Sequence, residues 1–184
     1  MTRKTRPAPP GTRTPADIEA MIRVDHAGEY GAVRIYEGQL AVLGARASAT
    51  ADAIRHMAEQ EQRHLKVFDA LVNARRVRPT ALEPVWRVAG FALGAATALL
   101  GEKAAMACTA AVEEVIDQHY AAQVETLGAG DPELTATVAE FRAEEIAHRD
   151  TALAHGAQQA PGYRLLSEAI KAGCRVAIRL SEKI

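Results

Sequence analysis

From Pro15 to about Ala47 apolar residues recur every three or four positions, the spacing of an amphipathic helix, and the same period runs from about Ala49 to Arg75. Thr14-Pro15-Ala16-Asp17 reads as a helix start, with Thr14 as N-cap and Pro15 at the first helical position. The stretch Arg76 to Pro84, with prolines at 79 and 84, predicts a crossover loop. A long helical segment is expected from about Val85 to Leu127, with Gly90, Gly94 and Gly101 as candidate kinks. Gly128-Ala129-Gly130-Asp131-Pro132 is a stop and restart, with Asp131 as N-cap and Pro132 after it. The next helix should reach about His155, Pro161-Gly162 should break it, and a last helix should span Tyr163 to Ser181. No segment alternates like a strand. The pattern predicts an all-α fold, an antiparallel four-helix bundle with a long crossover after the second helix and an additional C-terminal helix.

Composition agrees with one helical domain. Apolar residues make up 48% of the 184 and aromatics only 4%, so the core is built largely from alanine and aliphatic side chains. With 22 basic and 23 acidic side chains the net charge is −1, which opposes a nucleic-acid partner. Residues 1–14 hold Arg3, Lys4, Arg6 and Arg13 with no acid and several prolines, and are expected to form a disordered basic arm ahead of a helical domain at 15–184. No apolar signal core precedes it. The run Val88 to Gly101 is uncharged but shorter than the roughly 20 residues a membrane span needs. Cys108 and Cys174 have no metal-type spacing and read as inert thiols.

Chemistry enters through a repeat. Two helices carry Glu-x-x-His, at Glu61/His64 and Glu145/His148, which puts carboxylate and imidazole on one helical face. Glu29 stands 32 positions before Glu61, and Glu113 stands 32 positions before Glu145. All three of Glu29, Glu61 and His64 therefore recur 84 residues later as Glu113, Glu145 and His148. That is the ligand set with which a four-helix bundle holds two metal ions. Each position falls in an apolar stripe, such as Ile22, Val33 and Tyr36 around Glu29, or Met57 and Phe68 around Glu61 and His64. Four carboxylates on core faces need counter-charge, and two divalent cations supply it. Oxygen and imidazole ligands without thiolate suit iron or manganese, and iron is the choice for redox chemistry with O2.

Around these positions, several roles stay open. Glu114 rivals Glu113 but lies about 100° round the helix. Asp25 and His26, a turn before Glu29, either orient a ligand or sit on a plain helix surface. His119 and Tyr120 either bond a ligand or pack in the core. Val88–Gly101, with Trp86 and Phe91 and the flanking Arg87 and Lys103, is a membrane-interface surface or buried core. Lys171, Arg175 and Arg179 form a basic stripe that could meet anionic headgroups, or a solvated face. No GxGxxG or iron–sulfur spacing is present, so electrons must come from a diffusible reductant or another protein.

The segments Ile22-Arg23-Val24-Asp25-His26-Ala27-Gly28-Glu29-Tyr30-Gly31-Ala32, Gln60-Glu61-Gln62-Arg63-His64-Leu65, Ala111-Val112-Glu113-Glu114 and Phe141-Arg142-Ala143-Glu144-Glu145-Ile146-Ala147-His148 resemble the demethoxyubiquinone hydroxylases, ferritin-like di-iron proteins of ubiquinone biosynthesis. The tail Ala172-Gly173-Cys174-Arg175-Val176-Ala177-Ile178 is similar too, so the likeness runs from about residue 17 to the end. It implies a monooxygenase that uses O2 and two electrons to hydroxylate the ring of a polyprenylated demethoxyubiquinol. Glu29, Glu61, His64, Glu113, Glu145 and His148 become ligands of two iron ions, and NADH is the implied external donor. A membrane surface and a lipid-presenting partner of the pathway follow from the isoprenoid tail. The expected location is the cytoplasmic face of a bacterial inner membrane, with the mitochondrial matrix face as alternative. A ferritin-like ferroxidase, using a similar ligand set for iron handling, is the competing reading.

Overall fold

The structure is a computed structural model that describes residues 15–184, so the expected arm at 1–14 and the Thr14 cap lie outside the described residues. Six α-helices follow in order: α1 Pro15–Leu43, α2 Ala49–Ala74, α3 Glu83–Leu99, α4 Glu102–Leu127, α5 Pro132–Ala154 and α6 Tyr163–Ser181. No strand occurs among the described residues. Short connections make α1 and α2 one antiparallel pair and α4 and α5 the other, and these four enclose the core in the manner of a ferritin-like bundle.

Local signals set the ends. Ser48 caps α2, its hydroxyl accepting from the Ala51 amide at 3.2 Å. Asp131 caps α5 by accepting from the Leu134 amide at 3.1 Å. Arg75 at the end of α2 donates to the same Asp131, and this guanidinium holds the carboxyl below its usual range. One ion pair thus closes the α2–α5 end of the bundle.

The helix expected over Val85–Leu127 is two helices. Gly101 joins them at φ 114°, a conformation open to glycine and strained for other residues. An uncharged run can carry on in either direction, so hydropathy alone did not mark the turn. The break lets α3 lie along α1 while α4 enters the bundle. Gly90 and Gly94 are not kinks. They are the places where α3 touches the α1 backbone, since a Cβ on Gly94 would stand 1.9 Å from the Ile35 carbonyl oxygen. Gly38 answers from α1, where a Cβ would meet the Phe91 carbonyl oxygen at 2.2 Å. Helix α1 also ends earlier than expected, at Leu43, because Gly44 to Ala47 turn tightly to present the Ser48 cap.

Two apolar clusters cross the bundle. One gathers Tyr36, Leu43, Ile54, Met57, Met106 and Ala152. The other gathers Ile22, Phe68, Tyr120, Leu134, Val138 and Phe141. On every helix of the four, the Glu and His positions of the repeat fall between these two clusters. Helix α6 packs outside α4, where buried Lys171 pairs with Glu114 at 2.7 Å.

Gly94→Ala should destabilise the protein: overpacking costs about 1–3 kcal/mol or more, against roughly 1 kcal/mol gained in helix propensity. Gly31→Ala, where a Cβ meets nothing within 4 Å, should be neutral or stabilising. Urea unfolding of the two variants checks this; equal midpoints would contradict the close helix contact.

Candidate metal centre

Six side chains of the repeat meet at mid-bundle, and all are buried: Glu29 on α1, Glu61 and His64 on α2, Glu113 on α4, Glu145 and His148 on α5. They form two groups whose ligand atoms lie within 4.8 Å of one another. One contains Glu29, Glu61, His64 and Glu145; the other contains Glu61, Glu113, Glu145 and His148. Glu61 and Glu145 belong to both groups, whereas Glu29 and Glu113 each belong to one.

Imidazole orientation agrees with this. His64 turns Nδ1 toward Glu145 (3.1 Å) and Glu29 (3.4 Å), and His148 turns Nδ1 toward Glu61 (3.0 Å) and Glu145 (3.3 Å). Both Nδ1 atoms lack a hydrogen-bond partner, as do Glu29 Oε2, Glu61 Oε1, Glu113 Oε2 and both Glu145 oxygens. Orphaned polar atoms are rare in folded cores, and here they converge on one point. A donor set of four carboxylates and two imidazoles fits two divalent cations of the iron or manganese type.

Burial sets the electrostatics of these six side chains. Burial, reinforced by the Glu145 charge, pushes Glu113 and Glu61 well above the ordinary carboxyl range, and burial raises Glu29. At Glu145 burial is outweighed by the neighbouring His148 and His64 imidazoles, which hold it at about 2. Burial of His64 is likewise overcome by Glu145 and Glu29, which raise it to about 11.

Around the ligands the 84-residue repeat continues. Tyr36 Oη donates to Glu113 Oε1 at 2.8 Å, and Tyr120 Oη donates to Glu29 Oε1. Of this crossed pair, only Tyr120 was singled out in the sequence, although Tyr36 is its repeat mate. Gln39 donates to Thr109 at 3.2 Å, and its mate Gln123 donates to Asp25 at 2.7 Å, the residue 84 positions before Thr109. His119 pairs with Asp25 at 3.2 Å, so it joins the core through Asp25. His26 turns to Asp69 on α2 at 2.9 Å. Glu114 faces α6 through Lys171, which leaves Glu113 to the centre. That contact also removes Lys171 from the basic stripe, whereas Arg175 and Arg179 stay exposed. Cys108 is buried and its thiol is pushed up to about 12, and burial takes Cys174 to about 11.

Beside the centre lies an apolar cavity of about 550 Å³ between α1, α3, α4 and α6. Gly28 and Val112, the chain neighbours of Glu29 and Glu113, form part of its wall with Gly31 and Ile116. Its Trp86 and Ser181 are bonded to each other at 3.0 Å, so little polarity faces the interior. Outside it, α3 exposes Val85, Val88 and Phe91, Leu99 and Leu100 follow at its end, and α6 exposes Leu165, Val176 and Leu180. The uncharged run is therefore neither wholly buried nor wholly exposed: Gly90, Gly94, Thr97 and Ala98 pack inward. No helix among the described residues is long and apolar enough to cross a membrane.

A family model described as ubiquinone biosynthesis protein COQ7 matches residues 16–181. The chain is 59% identical over 176 residues to a 3-demethoxyubiquinol 3-hydroxylase of Rhodospirillum rubrum, covering 95% of this chain and 82% of that protein. It is 54% identical to the human NADPH-dependent 3-demethoxyubiquinone 3-hydroxylase, mitochondrial, covering 92% and 79% of the two. The yeast 5-demethoxyubiquinone hydroxylase, mitochondrial, is 42% identical over 92% of this chain and 79% of its own length.

Glu113→Gln tests the buried charge directly. A carboxyl raised on folding contributes stability that is present below its unfolded pKa and lost as pH rises through the folded value. Glutamine does not titrate and can still accept from Tyr36. In chelator, the variant should therefore melt above the parent at pH 8, with the gap closing toward pH 5, and it should bind metal more weakly. A variant less stable than the parent at both pH values would contradict the assigned electrostatics.

Proposed function

The chain belongs to the COQ7 family of ubiquinone biosynthesis proteins, and from that membership we propose that it is a monooxygenase hydroxylating the ring of a polyprenylated demethoxyubiquinol at a di-iron centre. The observation that carries the reading is the pair of ligand groups sharing Glu61 and Glu145. Glu29, Glu61, His64, Glu113, Glu145 and His148 are the proposed ligands, and two ferrous ions held there would supply the electrons that activate O2. The charge of two divalent ions balances four carboxylates, which accounts for their burial. Overall, a ring C–H, O2, two electrons and two protons become a ring C–OH and water.

The chain's own groups do the rest. Tyr36 fixes Glu113 and Tyr120 fixes Glu29, since each phenol donates to one oxygen and leaves the other free to meet an ion. The apolar cavity is the proposed quinol site, with Gly28 and Gly31 leaving room for a flat ring beside Glu29. An isoprenoid tail would leave between α3 and α6, whose outward Val88, Leu99, Leu100, Leu165 and Val176 would rest in the headgroup boundary, with Arg175 and Arg179 near anionic lipid. Peripheral association with the cytoplasmic face of a bacterial inner membrane is the proposed location, with the mitochondrial matrix face as alternative. A lipid-presenting protein of the pathway would deliver the substrate. The electron donor is external; the human relative is named NADPH-dependent, so NADPH and NADH are both donors to compare.

Iron-loaded protein given a short-tailed demethoxyquinol and 18O-labelled O2 should release product with one labelled ring hydroxyl. Glu113→Ala and Glu145→Ala should abolish turnover while keeping helical content, and Glu114→Ala should keep most of it. Accumulation of many irons per chain with an unchanged quinol would replace this reading with iron handling. Separately, the protein should sediment with vesicles containing anionic lipid, and Val88→Asp with Val176→Asp should release it; a protein that never sediments contradicts the membrane placement.

A further inference from the structure

The residue before each Glu-x-x-His motif holds the histidine of the other motif. Glu144, next to Glu145, accepts from His64 Nε2 at 2.9 Å, and Gln60, next to Glu61, faces His148 Nε2 at 3.1 Å through Oε1. Gln60 then donates from Nε2 to Glu144 at 3.3 Å. A single hydrogen-bonded line therefore runs from His148 through Gln60 and Glu144 to His64, and every donor in it has an acceptor. With a cation at the centre, each imidazole would keep its proton on Nε2 along this line and offer its Nδ1 lone pair inward.

The two ends are chemically unequal. Gln60 offers a neutral amide oxygen, whereas Glu144 offers a carboxylate that Arg63 also binds. The Arg63 guanidinium bonds both Glu144 oxygens and so pairs with the carboxylate charge that His64 meets. An imidazole that donates to a carboxylate is a stronger electron donor than one that donates to an amide. The other inward carboxylates and the tyrosines that bond them match between the two halves: Glu29 with Glu113, Tyr36 with Tyr120, shared Glu61 and Glu145. The Glu144/Gln60 difference is thus a break in symmetry located on the ligand histidines themselves.

We infer that Glu144 and Gln60 are positioning residues that orient the two ligand histidines and make the two metal positions unequal, so that the position served by Glu29 and His64 binds a divalent ion more tightly than the one served by Glu113 and His148. This rests on the proposed metal centre. Glu144 acts through His64 and touches no substrate. Glu144→Gln keeps a hydrogen-bond acceptor for His64 and removes only the charge.

The test is a cobalt(II) titration followed by visible absorbance, made in two backgrounds. Glu113→Ala keeps the Glu29/His64 position, and Glu29→Ala keeps the Glu113/His148 position. Adding Glu144→Gln should weaken cobalt binding about 10- to 100-fold in the first background and leave the second nearly unchanged. Gln60→Ala should show the reverse preference. If a single-ligand background does not fold, stepwise constants of the full ligand set decide: Glu144→Gln should lower the tighter step alone and bring the two together. Equal weakening of both positions would mean a merely structural Arg63–Glu144 contact and overturns the inference, as does no weakening at all. A parent protein that binds two cobalt ions in either of those cases leaves the metal centre standing; a parent that binds none overturns both.

Discussion

Four carboxylates buried at one point dominate the energetics of this bundle. Each ion removed from water costs several kcal/mol unless it is matched by opposite charge, and two imidazoles with two tyrosine hydroxyls cannot balance four. The surrounding structure is arranged around that imbalance. Apolar clusters close the core above and below the carboxylates. The tyrosines and the outer bonds of the histidines occupy the lone pairs and protons that point away, and leave the inward ones free. Such a core is costly as a scaffold and well suited to a pair of divalent ions, which is why the metal reading follows from the energetics as well as from family membership.

The internal repeat gives the centre a near two-fold plan, and its departures from that plan are where the halves can differ in function. Asp25 with His119 and Gln123 makes a charged cluster on one side, while Thr109 with Gln39 makes a neutral one on the other. Helices α3 and α6 are additions outside the four, and they build the apolar cavity against α1 and α4. A glycine contact between α1 and α3 brings that wall close enough for the cavity to reach the neighbours of Glu29 and Glu113. The repeat thus builds the two Glu/His groups, and the added helices build the cavity beside them.

Much of this was legible in the sequence because helices repeat at fixed spacing. The 84-residue offset picked the six residues that meet at mid-bundle, and it separated Glu113 from Glu114, which the structure turns toward Lys171. Caps at Ser48 and Asp131 are local signals, although only Asp131 was read as one. The break at Gly101 was less legible, because an uncharged alanine-rich run has no polar face whose phase could shift at a turn. Gly90 and Gly94 looked like kinks for the same reason: a glycine chosen for close backbone approach cannot be told from one chosen for bending until its neighbour is known. Tyr36, Gln60 and Glu144 were passed over, although the same offset ties them to Tyr120, Glu144 and Gln60. Their roles depend on partners in other helices, which periodicity along one helix does not reveal.

The central claim is a pair of ions sharing Glu61 and Glu145, and anomalous diffraction at the iron edge from anaerobically loaded crystals tests it most directly. Two iron peaks per chain are predicted, both within coordination distance of Glu61 and Glu145, one beside Glu29 and His64 and the other beside Glu113 and His148. A single peak, or iron only at surface carboxylates with the six core side chains unmoved, would contradict the account.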